Sequence, residues 1–454
     1  MTLHLGRSLT PHSAVAARTA LDGGENPSPV PPPAGASPQL SPPHLFHGPL
    51  GRLPAQLILI LLATRTLGWI FRRLRLPGVV GEITAGILLG PSLFGWLWPE
   101  GFSFIFAPSS LGILKVLSQI GVSVFMFVVG MEVDIGHLRD KARSAFLISQ
   151  TGILVPFLFG TVSALFLYPG YAGAATGFSS FALFLGISMS ITAFPVLVRI
   201  LEERGMARSP LGQTAISCAA MGDASAWALL ALVVAFVRAQ GVEATFLKFA
   251  ALAAFAAFMV LGVRRWLPRW LRTSERSVPP PWTVIGAVTL VMTGSALATE
   301  ALGIHALFGA FLAGAILPRD GGLRGYMIGR LESVTGALLL PLFFAFSGLR
   351  THIGLLNDPA GWLACAVIVA VATAGKLGST VGAARLDGMK WNDAFRLGAL
   401  MNTRGLMELI ALNLGYDLGV LPAPIFAMLV IMALVTTFLT GPLLSLGDSF
   451  GAGT

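Results

Sequence analysis

Apolar runs of about 16 to 26 residues recur along this chain, parted by short polar loops, and that repetition leaves few folds open. A backbone crossing hydrocarbon must satisfy its own hydrogen bonds, which only helices and closed barrels achieve. A helix needs roughly 20 apolar residues to cover about 30 Å of lipid. By that rule the runs predict thirteen spans: 54–71, 78–96, 110–133, 143–167, 178–201, 212–237, 244–263, 282–300, 303–318, 333–351, 359–381, 394–414 and 422–446. The ninth is short enough to be tilted or partly re-entrant. Only 11% of the residues are charged, against about 25% in soluble domains, because a charge in lipid is costly unless paired or hydrated. The expected fold class is an all-α polytopic membrane protein.

The net charge of +9 does not indicate nucleic acid, because the basic residues sit in short clusters between apolar runs. Cys218 and Cys365 both lie inside such runs, so no disulfide framework or zinc site is expected. The histidines show no metal spacing, and neither a cofactor nor a tightly bound metal is expected. Residues 1–53 read as a disordered tail around the proline-rich stretch PSPVPPPAGASPQLSPPHLFH. No signal peptide is read there. Residues 54–446 form the membrane domain and 447–454 a short C-terminal tail, with no room for a soluble regulatory domain.

Orientation follows from lysine and arginine in the loops. Loops after odd-numbered spans hold twenty, Arg72, Arg139, Arg264 and Arg385 among them, whereas the other loops hold only Arg238, Lys248 and Arg350. The N-terminus is therefore expected outside and the C-terminus in the cytoplasm. Arginine outnumbers lysine 25 to 5, which suggests a GC-rich bacterial genome and hence a cytoplasmic membrane.

A few ionisable groups remain inside the spans, where such residues are functional candidates by default. Arg65, Lys115 and Glu132 lie near span ends and are read as structural or snorkelling groups. Asp223 is different: about 11 residues into its span it sits roughly 16 Å deep. Its neighbours at three and four positions are Ala219, Ala220, Ala226 and Trp227. No basic residue lies within four positions. A lone carboxylate at mid-membrane resists ionisation unless a cation attends it, so it can hold a proton or a metal cation but not both. Lys376, about 9 Å deep in its own span, either reaches Asp223 or snorkels to the interface. Glu82 either relays protons or caps a helix pair. His305 either senses pH or is an interfacial hydrogen-bonded histidine.

Two spans look interrupted. In ISMSITAFPVLVRIL, Ser188, Ser190, Thr192 and Pro195 crowd one place. Proline deletes a backbone hydrogen bond, and freed carbonyls and hydroxyls, Ser190 and Thr192 among them, can ligate a cation. In LMNTRGLMELIALN, Asn402, Thr403, Arg404, Gly405 and Glu408 cluster. Arg404 and Glu408, four apart, are expected on one helix face, as a structural or a functional pair. One interrupted helix and one charged helix in each half, in mirrored order, is the pattern of a transporter with inverted repeats.

Seven stretches in order, PGVVGEITAGILLGPS, FMFVVGMEVDI, SITAFPVLVRIL, GDASAWALLAL, GIHALFGAFLAGAILP, LLPLFFAFSGLRT and MNTRGLMELIALNLG, resemble the cation:proton antiporter-2 family across roughly residues 54–446. The resemblance implies a homodimer with thirteen helices, a dimerisation domain, and a core domain in which two broken helices cross near the site. It implies that Asp223 binds cation or proton, that Lys376 competes with the cation, and that the core domain moves to give alternating access. Relatives usually place Asp or Asn directly before the key aspartate, where this chain has Gly222. Lys376 is thereby left with Asp223 or Glu408 as its candidate counter-charge, and the exchange is expected to be electroneutral.

The function expected from the sequence is exchange of a monovalent cation, Na⁺ or K⁺, for protons, with the bilayer and a second copy of the chain as partners, no nucleic acid and no enzymatic activity. A channel or sensor on the same fold, or an antiporter for a larger cation, stays open as an alternative. An intramembrane aspartyl protease is disfavoured. Ala220-Met221-Gly222-Asp223 is similar to its GxGD sequence, but position 220 is alanine and Tyr416-Asp417 follows instead of preceding. Such a protease also needs two carboxylates sharing a proton.

Overall fold

The computed structural model describes residues 49–74, 76–132, 142–173, 176–239, 242–271, 282–318 and 322–451. Nearly all of the expected N-terminal tail, and residues 452–454, lie outside them. Every regular element among the described residues is a helix. Eleven stretches are long and apolar enough to cross a membrane, and they coincide with eleven of the expected spans. The other two differ in kind. The expected ninth span is the ten-residue helix Ala306–Ala315, about 15 Å long, half the thickness of the hydrocarbon layer. The expected twelfth is two helices, Trp391–Met401 and Leu406–Asp417, parted by an irregular segment. Thirteen full crossings are therefore not established by helix length alone.

Several boundaries move outward, those of the first and last helices among them. The first helix begins at Pro49, ahead of residue 54, and the last, Ala423–Gly451, runs past 446. The physical reason is that an apolar run marks the thickness of lipid, while backbone hydrogen bonding continues beyond it.

The helices are drawn together where glycine removes a side chain. A Cβ on Gly314 would fall 2.0 Å from the Phe127 carbonyl oxygen, and one on Gly130 would fall 2.1 Å from that of Phe311. This reciprocal pair seats the short helix against Pro108–Glu132, the small-residue packing by which membrane helices associate. Thr335–Leu339 forms a π-helical turn, a widening that loosens the regular ladder. The guanidinium of Arg65 donates to the Gly336 and Ala337 carbonyls there, at 3.3 and 2.7 Å.

Candidate functional site

The first interruption separates the helices Phe178–Ser190 and Phe194–Glu203. Pro195 lies in the first turn of the second, where its missing N–H costs nothing. A continuous helix would instead have driven its ring into the carbonyl of Ile191, and Ile191 is extended, with ψ 140°. Asn402, Thr403, Arg404 and Gly405 form the second interruption, and the two meet. The Ala193 N–H donates to the Thr403 carbonyl at 3.0 Å, and the Thr192 hydroxyl donates to the Met401 carbonyl at 3.2 Å. A Cβ on Gly405 would lie 2.8 Å from Val196 Cγ2, so the crossing needs glycine at that point.

Each interruption exposes helix ends inside the fold, and charged side chains attend them. Phe178–Ser190 ends with carbonyls that lack intrahelical donors. Arg404 donates to the Ser188 carbonyl at 2.8 Å and the Met189 carbonyl at 2.6 Å. Lys376 donates to the Ser190 carbonyl at 2.6 Å and to that of Gly152 at 2.7 Å. Two fully buried cations thus face the negative end of one helix dipole. Glu408, in the first turn of Leu406–Asp417, faces a positive end and pairs with Arg404 at 3.3 Å. Arg404 itself lies in the interruption, not on the helix face it was expected to share with Glu408.

Asp223 sits near the middle of the unbroken helix Pro210–Val237 and is 3% exposed. Neither carboxylate oxygen has a hydrogen-bond donor among the described residues. The Phe194 N–H, at the start of Phe194–Glu203, bears on the carboxylate without completing a hydrogen bond. Among charged side chains, Lys376 attracts its negative charge and Glu132 opposes it. One turn further on, Trp227 packs against Phe308 and Phe311, ring centroids 5.7 and 6.3 Å away, and is itself buried. The space beside Gly222 is occupied by Ser149: a Cβ at position 222 would lie 3.0 Å from its hydroxyl oxygen, which is buried and has no partner.

A cavity of about 870 Å³ reaches from the ends of several helices to Phe194 and Pro195. Five carboxylates line it, those of Glu82, Glu132, Glu202, Glu203 and Glu332, against the single cation Arg199. At the opposite ends of the helices a cluster of charged side chains is bound together. Asp417 accepts from Lys115 at 3.0 Å and from Arg350 at 2.9 Å. Arg350 also donates to the Asn413 side chain at 3.1 Å and stacks over Phe346, 4.4 Å from its centroid. Beside this cluster, Nδ1 of His305 accepts from the Leu307 N–H at 3.4 Å and caps the short helix.

The fold thus gathers Asp223, Lys376, Arg404, Glu408 and both interruptions into one buried region. The hydroxyls expected to ligate a cation both donate to carbonyls, that of Ser190 to Ile187 at 2.9 Å and that of Thr192 to Met401 at 3.2 Å, which leaves their oxygen lone pairs able to accept. Asn402 is buried, with its amide oxygen and nitrogen unpartnered. Thr403 donates to the Leu400 carbonyl at 2.8 Å. Glu82 lines the cavity, away from Lys376 and the Arg404–Glu408 pair. Sequence reasoning missed Ser149, the Gly152 carbonyl and the acidic lining. The last had a signal, since Glu132, Glu202 and Glu332 stand at span ends flanked by arginine-rich loops.

An all-helical membrane bundle with two crossed, interrupted helices and a donor-free carboxylate beside them defines the class of secondary transporters built around broken helices. Residues 58–446 match the family described as sodium/hydrogen exchanger, transmembrane, and the chain belongs to that family. It is 42% identical over 390 residues to the Na(+)/H(+) antiporter NhaS4 of Synechocystis sp., covering 86% of this chain and 95% of that one. It is 34% identical over 424 residues to the K(+)/H(+) antiporter 1 of Saccharomyces cerevisiae, covering 90% of this chain and 48% of the relative. Cation/H(+) antiporter 18 of Arabidopsis thaliana is 36% identical over 392 residues, which are 85% of this chain and 48% of its own. The chain thus spans nearly all of the first relative and about half of the other two. Among solved structures, the sodium proton antiporter MjNhaP1 of Methanocaldococcus jannaschii at pH 8 superposes with a TM-score of 0.64. At 14% identity, over 88% of this chain and 98% of that one, the likeness is one of fold.

Proposed function

We propose that this protein exchanges a monovalent cation, Na⁺ or K⁺, for protons, with Asp223 holding one or the other in turn. The observation that carries the reading is a buried carboxylate whose two oxygens both lack donors, set at the positive end of a broken helix. Such a group is stabilised as an anion only by a cation, and as an acid only by a proton. Relatives named as Na(+)/H(+) and K(+)/H(+) antiporters support the cargo class. Glu82, Glu132 and the other cavity carboxylates concentrate cations on the way in. The test is dye-reported proton movement in proteoliposomes on addition of Na⁺, K⁺, Li⁺ or choline. Saturable flux that follows the pH gradient supports exchange; flux indifferent to pH supports a channel.

The proposed cycle is one of alternating access, and the acidic cavity that reaches Phe194 and Pro195 supports it as one route to the site. In this reading thirteen helices cross the cytoplasmic membrane with the N-terminus outside, and two copies form a homodimer. Lys376 competes with the cation for Asp223 and keeps its charge throughout the cycle, held by two carbonyls at lengths typical of charge-assisted bonds. One proton then moves per cation, and no current is expected from the purified protein across a voltage-clamped membrane. A current that scales with the cation gradient would overturn the one-to-one stoichiometry. The N-terminal segment is dispensable for transport, so a chain lacking residues 1–45 is expected to show the flux of the whole protein; loss of folded, active protein would make the segment structural.

A further inference from the structure

A second cavity, of about 770 Å³, adjoins the acidic one at Glu203, and its charged lining is mainly cationic where that of the first is mainly carboxylate. Arg72, Arg204 and Arg396 line it, and its one carboxylate, Glu203, is already held by Arg199 at 3.1 Å. Arg72 and Arg204 form no ion pair among the described residues. The arginines are set in place by the last helix. Arg204 donates to the Gly441 carbonyl at 3.1 Å, and a Cβ on Gly447 would stand 2.6 Å from Arg396 Cγ. The rest of the lining is largely apolar, with Pro77 and Ile200 buried and Phe438 47% exposed. Phe438 belongs to Ala423–Gly451, a helix long and apolar enough to cross a membrane, and its exposed ring lies at the cavity's edge.

We propose that this cavity binds the phosphodiester headgroup of an anionic phospholipid, with its acyl chains running out past Phe438. A soluble anion would satisfy the arginines but not the apolar wall; a zwitterionic lipid would satisfy the wall but bring its own positive charge to the arginines. An anionic lipid satisfies both, and basic pockets between membrane helices are where such headgroups collect. The position gives the lipid leverage. Ile200 and Arg204 stand at the far end of Phe194–Glu203, whose near end bears on Asp223. Arg396 lies on Trp391–Met401, whose last carbonyl meets Thr192. A headgroup here joins Arg396, midway along Trp391–Met401, to the outer end of Phe194–Glu203, a ten-residue helix about 15 Å long whose inner end bears on the carboxylate.

The test is thermal unfolding of the purified full-length protein in neutral detergent with added phosphatidylglycerol, phosphatidylcholine or soluble glycerol 3-phosphate. Phosphatidylglycerol is expected to raise the midpoint by several degrees and the other two to leave it unchanged. The variants Arg72→Gln and Arg204→Gln, alone and combined, are expected to lose that rise while unfolding at the wild-type temperature in phosphatidylcholine. Arg72 is exposed and makes no ion pair to lose, so its single variant is informative even if the double variant folds poorly. Equal midpoints in the two lipids, or an undiminished rise in Arg72→Gln and Arg204→Gln, would overturn the site. An equal rise with glycerol 3-phosphate would make it a free phosphate site and overturn the lipid.

Discussion

Asp223→Asn is expected to reduce cation-driven proton movement to the level of empty liposomes while leaving the protein as stable as the wild type. The two halves of that expectation rest on one fact. Most buried carboxylates are woven into hydrogen bonds, and their loss leaves a donor stranded, at a cost of about 1–3 kcal/mol. Asp223 has no such donor to strand. The amide is nearly the same shape, carries no charge and takes up no proton, so it removes the exchange and little else. The check is the proteoliposome assay with Na⁺ and K⁺, run beside thermal unfolding in detergent. Persistent cation-driven proton movement in the variant would remove Asp223 from the exchange. A silent variant that has also unfolded would point to a structural role.

Glu408→Ala is expected to do the reverse, damaging the fold first. Glu408 and Arg404 are both fully buried and lie 3.3 Å apart. Removing one partner of a buried pair leaves an uncompensated charge and costs about 3–5 kcal/mol, a large fraction of the stability of any domain. A steep drop in unfolding temperature and in yield should follow. Replacing both, as Arg404→Leu with Glu408→Leu, should recover part of the loss, because the stranded charge is then gone. Recovery stays incomplete, since Arg404 also closes the Ser188 and Met189 carbonyls. Wild-type stability with abolished transport in Glu408→Ala would reassign the pair to the transport cycle.

The contrast between these residues was only half legible in the sequence. Both stood out as charges in apolar runs, and Asp223 stood out further because its helical neighbours are small and carry no base. Pro195 announced one interruption, and Asn402 to Gly405 announced the other. The sequence does not show the partners of Ser190 and Thr192: their hydroxyls donate to the Ile187 and Met401 carbonyls and keep lone pairs that can accept. Asp223 and Glu408, the candidate counter-charges of Lys376, both act on it electrostatically, while its hydrogen bonds go to two carbonyls 186 and 224 positions away, which no spacing in the sequence announces.

By itself the sequence determined the fold class, the placing of most spans and the identity of the buried charges, because each follows from the cost of putting polar groups into lipid. That cost acts residue by residue and so is visible in one dimension. The tertiary structure alone decided which charge faces which helix end, that Ser149 stands beside Gly222, and that carboxylates from separate helices line one cavity while arginines line another. Those relations depend on how two interrupted helices cross, and the crossing is held by contacts such as the Ala193 N–H on the Thr403 carbonyl, between segments about two hundred residues apart.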